Sequence, residues 1–412
     1  MANPKLRFKA DDGTDFPEWR QYKLGNLGSF KKGKGLSKDQ LSEEGNPCIL
    51  YGQLYTNYNE VIKSVVSKTN ASLDNAVLSE GNEVLFPNSD VTPDGIACAS
   101  YLPFANVILG GDISVFKCNE GIRGDVLSYI INSPNGKQQI YRIAQGTTVI
   151  HTSASSLSKI LVNYPSSQEE QRKIADFLST FDDKVEAKEQ QLEALQETKK
   201  GLLQQIFSQQ LRFKADDGTE FPDWKQYKLG NLGSFKKGKG LSKDQLSEEG
   251  TPCILYGQLY TDYSEVIKSV ISKTNASLDN AVFSEGNEVL LPCSGETSLD
   301  ISRATFLPIK GVALGGDLHV ITCNSNINGS LLSYIINSSL KKEIARIAQG
   351  ATVVHTSASS LSKILVNYPS SLEEQRKIAE FLGAFDEKIE AVKRQLEALK
   401  EIKKGLLQQM FV

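Results

Sequence analysis

Apolar positions alternately four and three residues apart run from Ile174 to Ile206 and again from Ile378 to Met410. The first seam is Ile174, Leu178, Phe181, Val185, Lys188, Leu192, Leu195, Lys199, Leu202 and Ile206. The second is Ile378, Leu382, Phe385, Ile389, Val392, Leu396, Leu399, Lys403, Leu406 and Met410. A 3.5-residue period held this long predicts two coiled-coil helices. Each opens on Pro-Ser-Ser (165–167 and 369–371) followed by glutamates suited to a first helical turn. At 1.5 Å per residue, 40 residues span about 60 Å. Such a stripe needs a partner. Antiparallel packing of the two helices on each other satisfies it, and so does pairing of each with a second chain.

Elsewhere the patterns are short. Residues 22–30 have β-type alternation and lead into Lys31-Lys-Gly-Lys-Gly35. Residues 48–55 read as a strand, 77–86 as a hairpin about Ser-Glu-Gly-Asn, and 107–116 as a strand with a Gly-Gly turn inside it. Helical spacing over 125–144 is interrupted at Pro134-Asn-Gly136. The fold class expected is α+β: two similar mixed α/β domains joined by long helices in an antiparallel, pseudo-two-fold coiled coil. Domains are expected at 1–165 and 211–369, with helices at 166–210 and 370–412.

The two halves are a repeat. Residues 6–87 match 211–292 at 73 of 82 positions, and 145–178 match 349–382 at 30 of 34. Between them, 88–122 match 293–327 at only 15 of 35, so divergence is concentrated in one window. Shared positions inside it, such as Leu109-Gly-Gly-Asp112 and Leu314-Gly-Gly-Asp317, read as scaffold. The changed ones alter chemistry: Asn88/Cys293, Asp90/Gly295, Val91/Glu296, Asp94/Leu299, Cys98/Arg303 and Ser114/His319. One framework with two different surfaces explains this, as does drift in a loop.

Charge narrows the choice of partner. Residues 1–165 carry 16 basic and 16 acidic side chains, and residues 211–369 carry 16 and 16. Neither domain is a basic platform, so nucleic acid would be held by local patches or jointly with a partner. The six cysteines form no C-x-x-C pair and suit small buried residues. Three histidines with no cluster argue against a metal site. No apolar run approaches a membrane span, and the first residues lack a signal-peptide core, so the expected compartment is the cytoplasm.

Catalytic constellations are absent from the pattern. Gly28-Ser-Phe-Lys-Lys-Gly33-Lys34-Gly35 misses a P-loop by the hydroxyl that ligates magnesium. Its glycines and lysines fit flexible contact with a phosphodiester backbone, or an inert solvated loop. Glu197-Thr-Lys199 and Glu401-Ile-Lys403 lie mid-helix and read as coiled-coil charge rather than a nuclease motif. His151 and His355 stand beside no nucleophile.

The layout resembles the specificity subunits of type I restriction–modification enzymes. The resemblance rests on 19–30 and 224–235, Tyr-Gly-Gln-Leu, Gln-Gly-Thr-Thr…Leu-Ser-Lys-Ile, and above all Glu169-Glu-Gln-Arg-Lys-Ile-Ala-Asp-Phe-Leu178, repeated at 373–382. It covers essentially the whole chain. It implies a non-catalytic subunit in which each domain reads half of a bipartite site in double-stranded DNA. The helices would set the spacer and dock two modification subunits, which bind S-adenosylmethionine and methylate adenine. Restriction subunits would add ATP- and Mg-dependent translocation and cleavage. This chain itself would bind no cofactor or metal. A coiled-coil adaptor that binds no DNA is the competing class.

On this reading the divergent window supplies base contacts: Asn88, Ser89, Asp90, Thr92 and Asp94 in the first domain, and Ser294, Glu296, Thr297, Ser298 and Arg303 in the second. Lys31, Lys32 and Lys34, with Lys236, Lys237 and Lys239, would touch phosphate. Gln53, Tyr55, His151 and Thr152, with Gln258, Tyr260, His355 and Thr356, suit either role.

Overall fold

A computed structural model describes residues 4–72, 74, 76–350 and 353–411. The chain forms two compact units, Met1–Gln190 with Lys393–Val412, and Gln191–Val392. The long helices run from Gln168 to Phe207 and from Leu372 to Met410. The unit boundaries fall inside both helices. Positions 165 and 369 therefore mark where the helices begin, not where packing ends.

In unit 1 a four-stranded antiparallel sheet has the order Gly28–Lys32, Ile113–Cys118, Glu83–Pro87, Ser100–Leu102. Alternate residues face opposite ways along a strand, and here both faces are covered. Val84, Phe86, Phe116 and Cys118 pack against the helices Gly124–Asn132 and Pro134–Ile143 and the start of the first long helix through Ile174 and Leu178. Leu85, Ile113 and Val115 join Ile49, Val107 and Leu109 of a second sheet. That sheet is five-stranded: Leu41–Ser42, Ser67–Thr69, Asn46–Ile49, Ala105–Leu109, Leu78–Glu80. Unit 2 repeats both sheets and both cores.

Three sequence expectations change. Residues 48–55 are not one strand: Asn46–Ile49 is the strand, and Gln53–Thr56 is a helical turn. Residues 77–86 are not a hairpin, because Leu78–Glu80 pairs with Ala105–Leu109 while Glu83–Pro87 pairs in the other sheet. The Gly81-Asn82 turn is thus a corner between sheets. Residues 107–116 likewise divide at Gly110-Gly111-Asp112 between the two sheets. The break at Pro134 is real, with the Ser133 hydroxyl accepting from the Gly136 N–H at 3.2 Å. In unit 2 the one-residue deletion is absorbed by a π turn at Ile336–Leu340, within an otherwise unbroken helical run.

The Glu-Glu-Gln motif anchors each long helix. Strand Arg20–Lys23 pairs with Leu161–Tyr164, closing the domain just before the helix. Glu170 is fully buried and takes two hydrogen bonds of 3.0 Å from the Arg7 guanidinium. Gln171 accepts from the Tyr164 hydroxyl and donates to the Pro165 carbonyl, both at 3.0 Å. Arg212, Glu374, Gln375 and Tyr368 repeat the set.

Every seam position is buried or half-buried. The far ends of the helices pack into the opposite repeat: Leu407, Met410 and Phe411 enter the first domain's core, and Ile206 enters the second's. Within unit 1, Asp182 pairs with Lys403 and Glu189 with Lys400, each at 2.6 Å. The reversed order makes these helix segments antiparallel. Lys403 is coiled-coil charge of a half-buried kind. Its ammonium also meets Glu60 at 2.6 Å, while the Tyr129 hydroxyl donates to Asp182. Burial opposes the Lys403 charge, but Glu60 and Asp182 prevail and hold its pKa above the ordinary lysine value. Lys199, Asp386, Glu265 and Tyr334 build the same clamp in unit 2.

Candidate nucleic-acid interface

The glycine–lysine loop is fastened rather than flexible. Gly33 donates to the Ile113 carbonyl at 2.9 Å and Lys34 to the Leu109 carbonyl at 3.0 Å, so these N–H groups do not await a phosphate. A β-carbon at Gly33 would lie 2.0 Å from the Gly110 carbonyl oxygen, which is why glycine stands there. The loop borders a cleft of about 940 Å³ lined by Lys32, Lys34, Lys38, Tyr51, Gln53 and Tyr55, among others.

Strand alternation separates the lysines. Lys31 shares a face with Lys117, and both ammonium groups hold Glu80. Their hydrogen bonds pull the Glu80 carboxyl down to about 2. Lys32 turns to the other face, into the cleft. In unit 2 Lys236 pairs with Glu285 at 3.7 Å and Lys237 with Asp317 at 3.3 Å. Lys239 shares its loop, with its N–H bonded to the Leu314 carbonyl at 3.0 Å.

The window divides into exposed and inward positions. Ser89 and Asp90 are buried, paired as a short strand with His151 and Ile150. Burial works against the Asp90 charge, but bonds from Thr92, Val91 and Tyr55 outweigh it and hold the carboxyl below the usual range. Burial and Asp90 together push Tyr55 up to about 12. Asp90 therefore acts as an internal acceptor and is corrected from base contact to scaffold. Thr92 is exposed and caps the turn Pro93–Ile96, accepting from Gly95 N–H at 3.1 Å. Exposed Asp94 accepts from the Tyr141 hydroxyl.

In unit 2, Ser294 is buried and pairs with His355. Glu296 and Thr297 are exposed and Ser298 half-buried. Thr297 bonds Asp300 reciprocally, at 2.7 and 3.2 Å. Arg303 is half-buried, its Nη2 donating to the Tyr263 carbonyl at 3.3 Å. Gly295 replaces Asp90, and Asp300, at the position of Gly95, supplies the carboxylate that accepts from Thr297 and acts on Tyr260.

Gln53 staples its own turn, accepting from Leu50 N–H at 2.9 Å and donating to Ser67 at 2.6 Å; Gln258 does the same. His151 and His355 keep exposed side chains on fixed backbone, each bonded both ways to Gln145 or Gln349. Thr152 donates its N–H to Asn88 and its hydroxyl to Pro87. The sequence reading missed Lys38, Tyr51 and Tyr141; the first two sit beside recognised motifs and follow from the repeat, whereas Tyr141 becomes Ala345 and left no repeated signal.

All six cysteines are free thiols, and no cluster of potential metal ligands occurs among the described residues. No helix there is long and apolar enough to cross a membrane. The arrangement offers hydrogen-bonding groups and lysines around a cleft.

Known proteins share this design. The family model for the type I restriction modification DNA specificity domain matches residues 17–197 and again 222–401. The MjaVIII specificity subunit of Methanocaldococcus jannaschii is 23% identical, over 97% of this chain and 94% of that one. The MjaX specificity subunit of the same organism is 28% identical, over 58% of this chain; the chain spans 56% of its length. The fold matches the Mycoplasma genitalium S subunit with a TM-score of 0.62 at 18% identity, covering 100% of this chain and 99% of that one. A chain from a type I restriction–modification system matches at 0.55 and 16% identity, covering 96% and 98%. The chain therefore belongs to the type I restriction–modification specificity subunits, with one DNA specificity domain in each repeat.

Proposed function

We propose that each unit reads one half of a bipartite asymmetric site in double-stranded DNA, and that the long helices set the spacing between the halves. The observation that carries this is the divergent window on a nearly invariant scaffold. Its exposed members Val91 and Asp94 in one unit become Glu296 and Leu299 in the other, and so differ where the sheets beneath them agree. Side chains specify bases, whereas the shared lysines contribute affinity without sequence information. Near-neutral units suit DNA gripped jointly with other subunits. Two modification subunits dock on the helices and carry S-adenosylmethionine; restriction subunits carry ATP and Mg²⁺; the complex works in the cytoplasm.

Exchange of residues 88–122 for 293–327 tests the reading. Sequencing of methylated adenines in cells carrying the variant should show two like half-sites. Unchanged half-sites would remove the window from recognition, and no salt-dependent DNA retention with or without modification subunits would favour the adaptor.

A further inference from the structure

Two positions in the window are coupled, and they change together. In unit 1, Ser114 is buried and its hydroxyl donates to Asn88 Oδ1 at 2.7 Å. In unit 2 the same positions are His319 and Cys293, both buried. The small residue and the large one have changed places. His319 Nε2 lies 3.2 Å from both the carbonyl oxygen and the hydroxyl of Thr356.

The backbone around them is the same in both units. Asn88 N–H donates to the Asp112 carbonyl at 2.8 Å, and Cys293 N–H to Asp317 at 2.7 Å. Thr152 and Thr356 each return an N–H bond of 2.9 Å to that residue's carbonyl. Position 114 pairs with Lys32 on one side and Phe86 on the other; position 319 pairs with Lys237 and Leu291. Only the side chains differ. Histidine beneath asparagine would overpack this layer, and serine beneath cysteine would underfill it.

We infer that residues 88 and 114, with their counterparts 293 and 319, form a two-residue specificity unit in which the buried member chooses what each domain offers to a base edge. In domain 1, Ser114 takes the carbonyl oxygen of the half-buried Asn88 side chain and so leaves its amide nitrogen as the group offered, a donor. Its complement is an acceptor in the major groove, a purine N7 or a base carbonyl. In domain 2 no amide stands at this level; His319 instead holds Thr356, next to the exposed His355. Ser114 and His319 are positioning residues that need not touch DNA. This rests on the DNA-reading assignment made above.

The test uses full-length variants expressed with the modification subunits, with methylated adenines sequenced and thermal midpoints recorded. Ser114→Ala should raise acceptance of other bases at one position of the first half-site roughly tenfold, at the low end for a base contact. Ser114→Thr, which keeps the hydroxyl, should restore discrimination. Asn88→Cys with Ser114→His and Phe86→Leu, the combination this scaffold already carries in unit 2, should also abolish it and is informative even if Ser114→Ala does not fold. The second half-site should be unchanged throughout. If the combined variant leaves the first half-site intact, or weakens methylation equally at every sequence, the inference is overturned. If exchange of the whole window also changes nothing, it is the DNA-reading assignment that fails.

Discussion

The window at 88–122 and the clamp around Lys403 lie in the same unit, yet they relate to the second repeat in opposite ways. The clamp is reproduced residue for residue: Lys403, Glu60, Asp182 and Tyr129 answer to Lys199, Glu265, Asp386 and Tyr334. The window keeps 15 of 35 residues. The difference lies in what each must fit. Clamp residues from both repeats must fit one another, so a change in one repeat is felt by the other. On the proposed reading the exposed window side chains meet DNA, and each repeat's window is free to change alone.

The clamp offers the largest effect. Asp182→Ala removes a partner of the buried Lys403 charge and orphans the Tyr129 hydroxyl, and should destabilise unit 1 by about 3 kcal/mol. Asp386→Ala should cost unit 2 nearly as much. Hydrogen exchange resolved by unit would read both, and clearly unequal costs would break the equivalence of the clamps. Lys32→Ala and Lys237→Ala test the shared phosphate role. In the DNA-bound complex each should lower the salt slope by about 1 and weaken all sequences alike. A sequence-dependent loss would move these lysines into the reading surface.

The smallest effect separates the units by pH. Burial lowers the His319 pKa, and the bond to Thr356 only partly opposes this; Lys237 and Asp317 are the charged groups facing it. The folded state thus keeps His319 neutral while the unfolded chain protonates it near its ordinary value of about 6.5. Stability from this source is complete above that pH and is lost as pH falls below it. His319→Ser should flatten the difference in thermal midpoint between pH 7.5 and 5.5. An unchanged acid slope would show that His319 is not its source.

The long helices were legible because a 3.5-residue period repeats over ten positions and needs no distant information. The sheets were harder. Residues 77–86 alternate like a hairpin, but which partners the two strands take depends on residues 105–118. The window was found by comparing repeats, and its inward members were not separable that way. Asp90 is polar and variable, yet its short strand is completed by residues 150–151, some sixty positions later. Lys31 and Lys32 differ only in which face of a strand they occupy, and the position of Glu80 became visible only in three dimensions. Lys199 and Lys403 read only as coiled-coil charge because their acidic partners come from the other repeat and from sheet-domain loops.

That cross-packing also governs the order in which the chain can mature on the ribosome. Unit 2 is continuous in sequence, from Gln191 to Val392. Unit 1 has Leu407, Met410 and Phe411 in its core, and its residues Lys5 and Leu6 hydrogen-bond to the Gln409 carbonyl. Domains usually complete themselves from the N-terminus during synthesis. Of these two units, the one begun first is completed second. Until residues 393–412 are made, unit 1 has an apolar seat unfilled, so slow translation of that segment should prolong exposure of the seat while unit 2 is already complete.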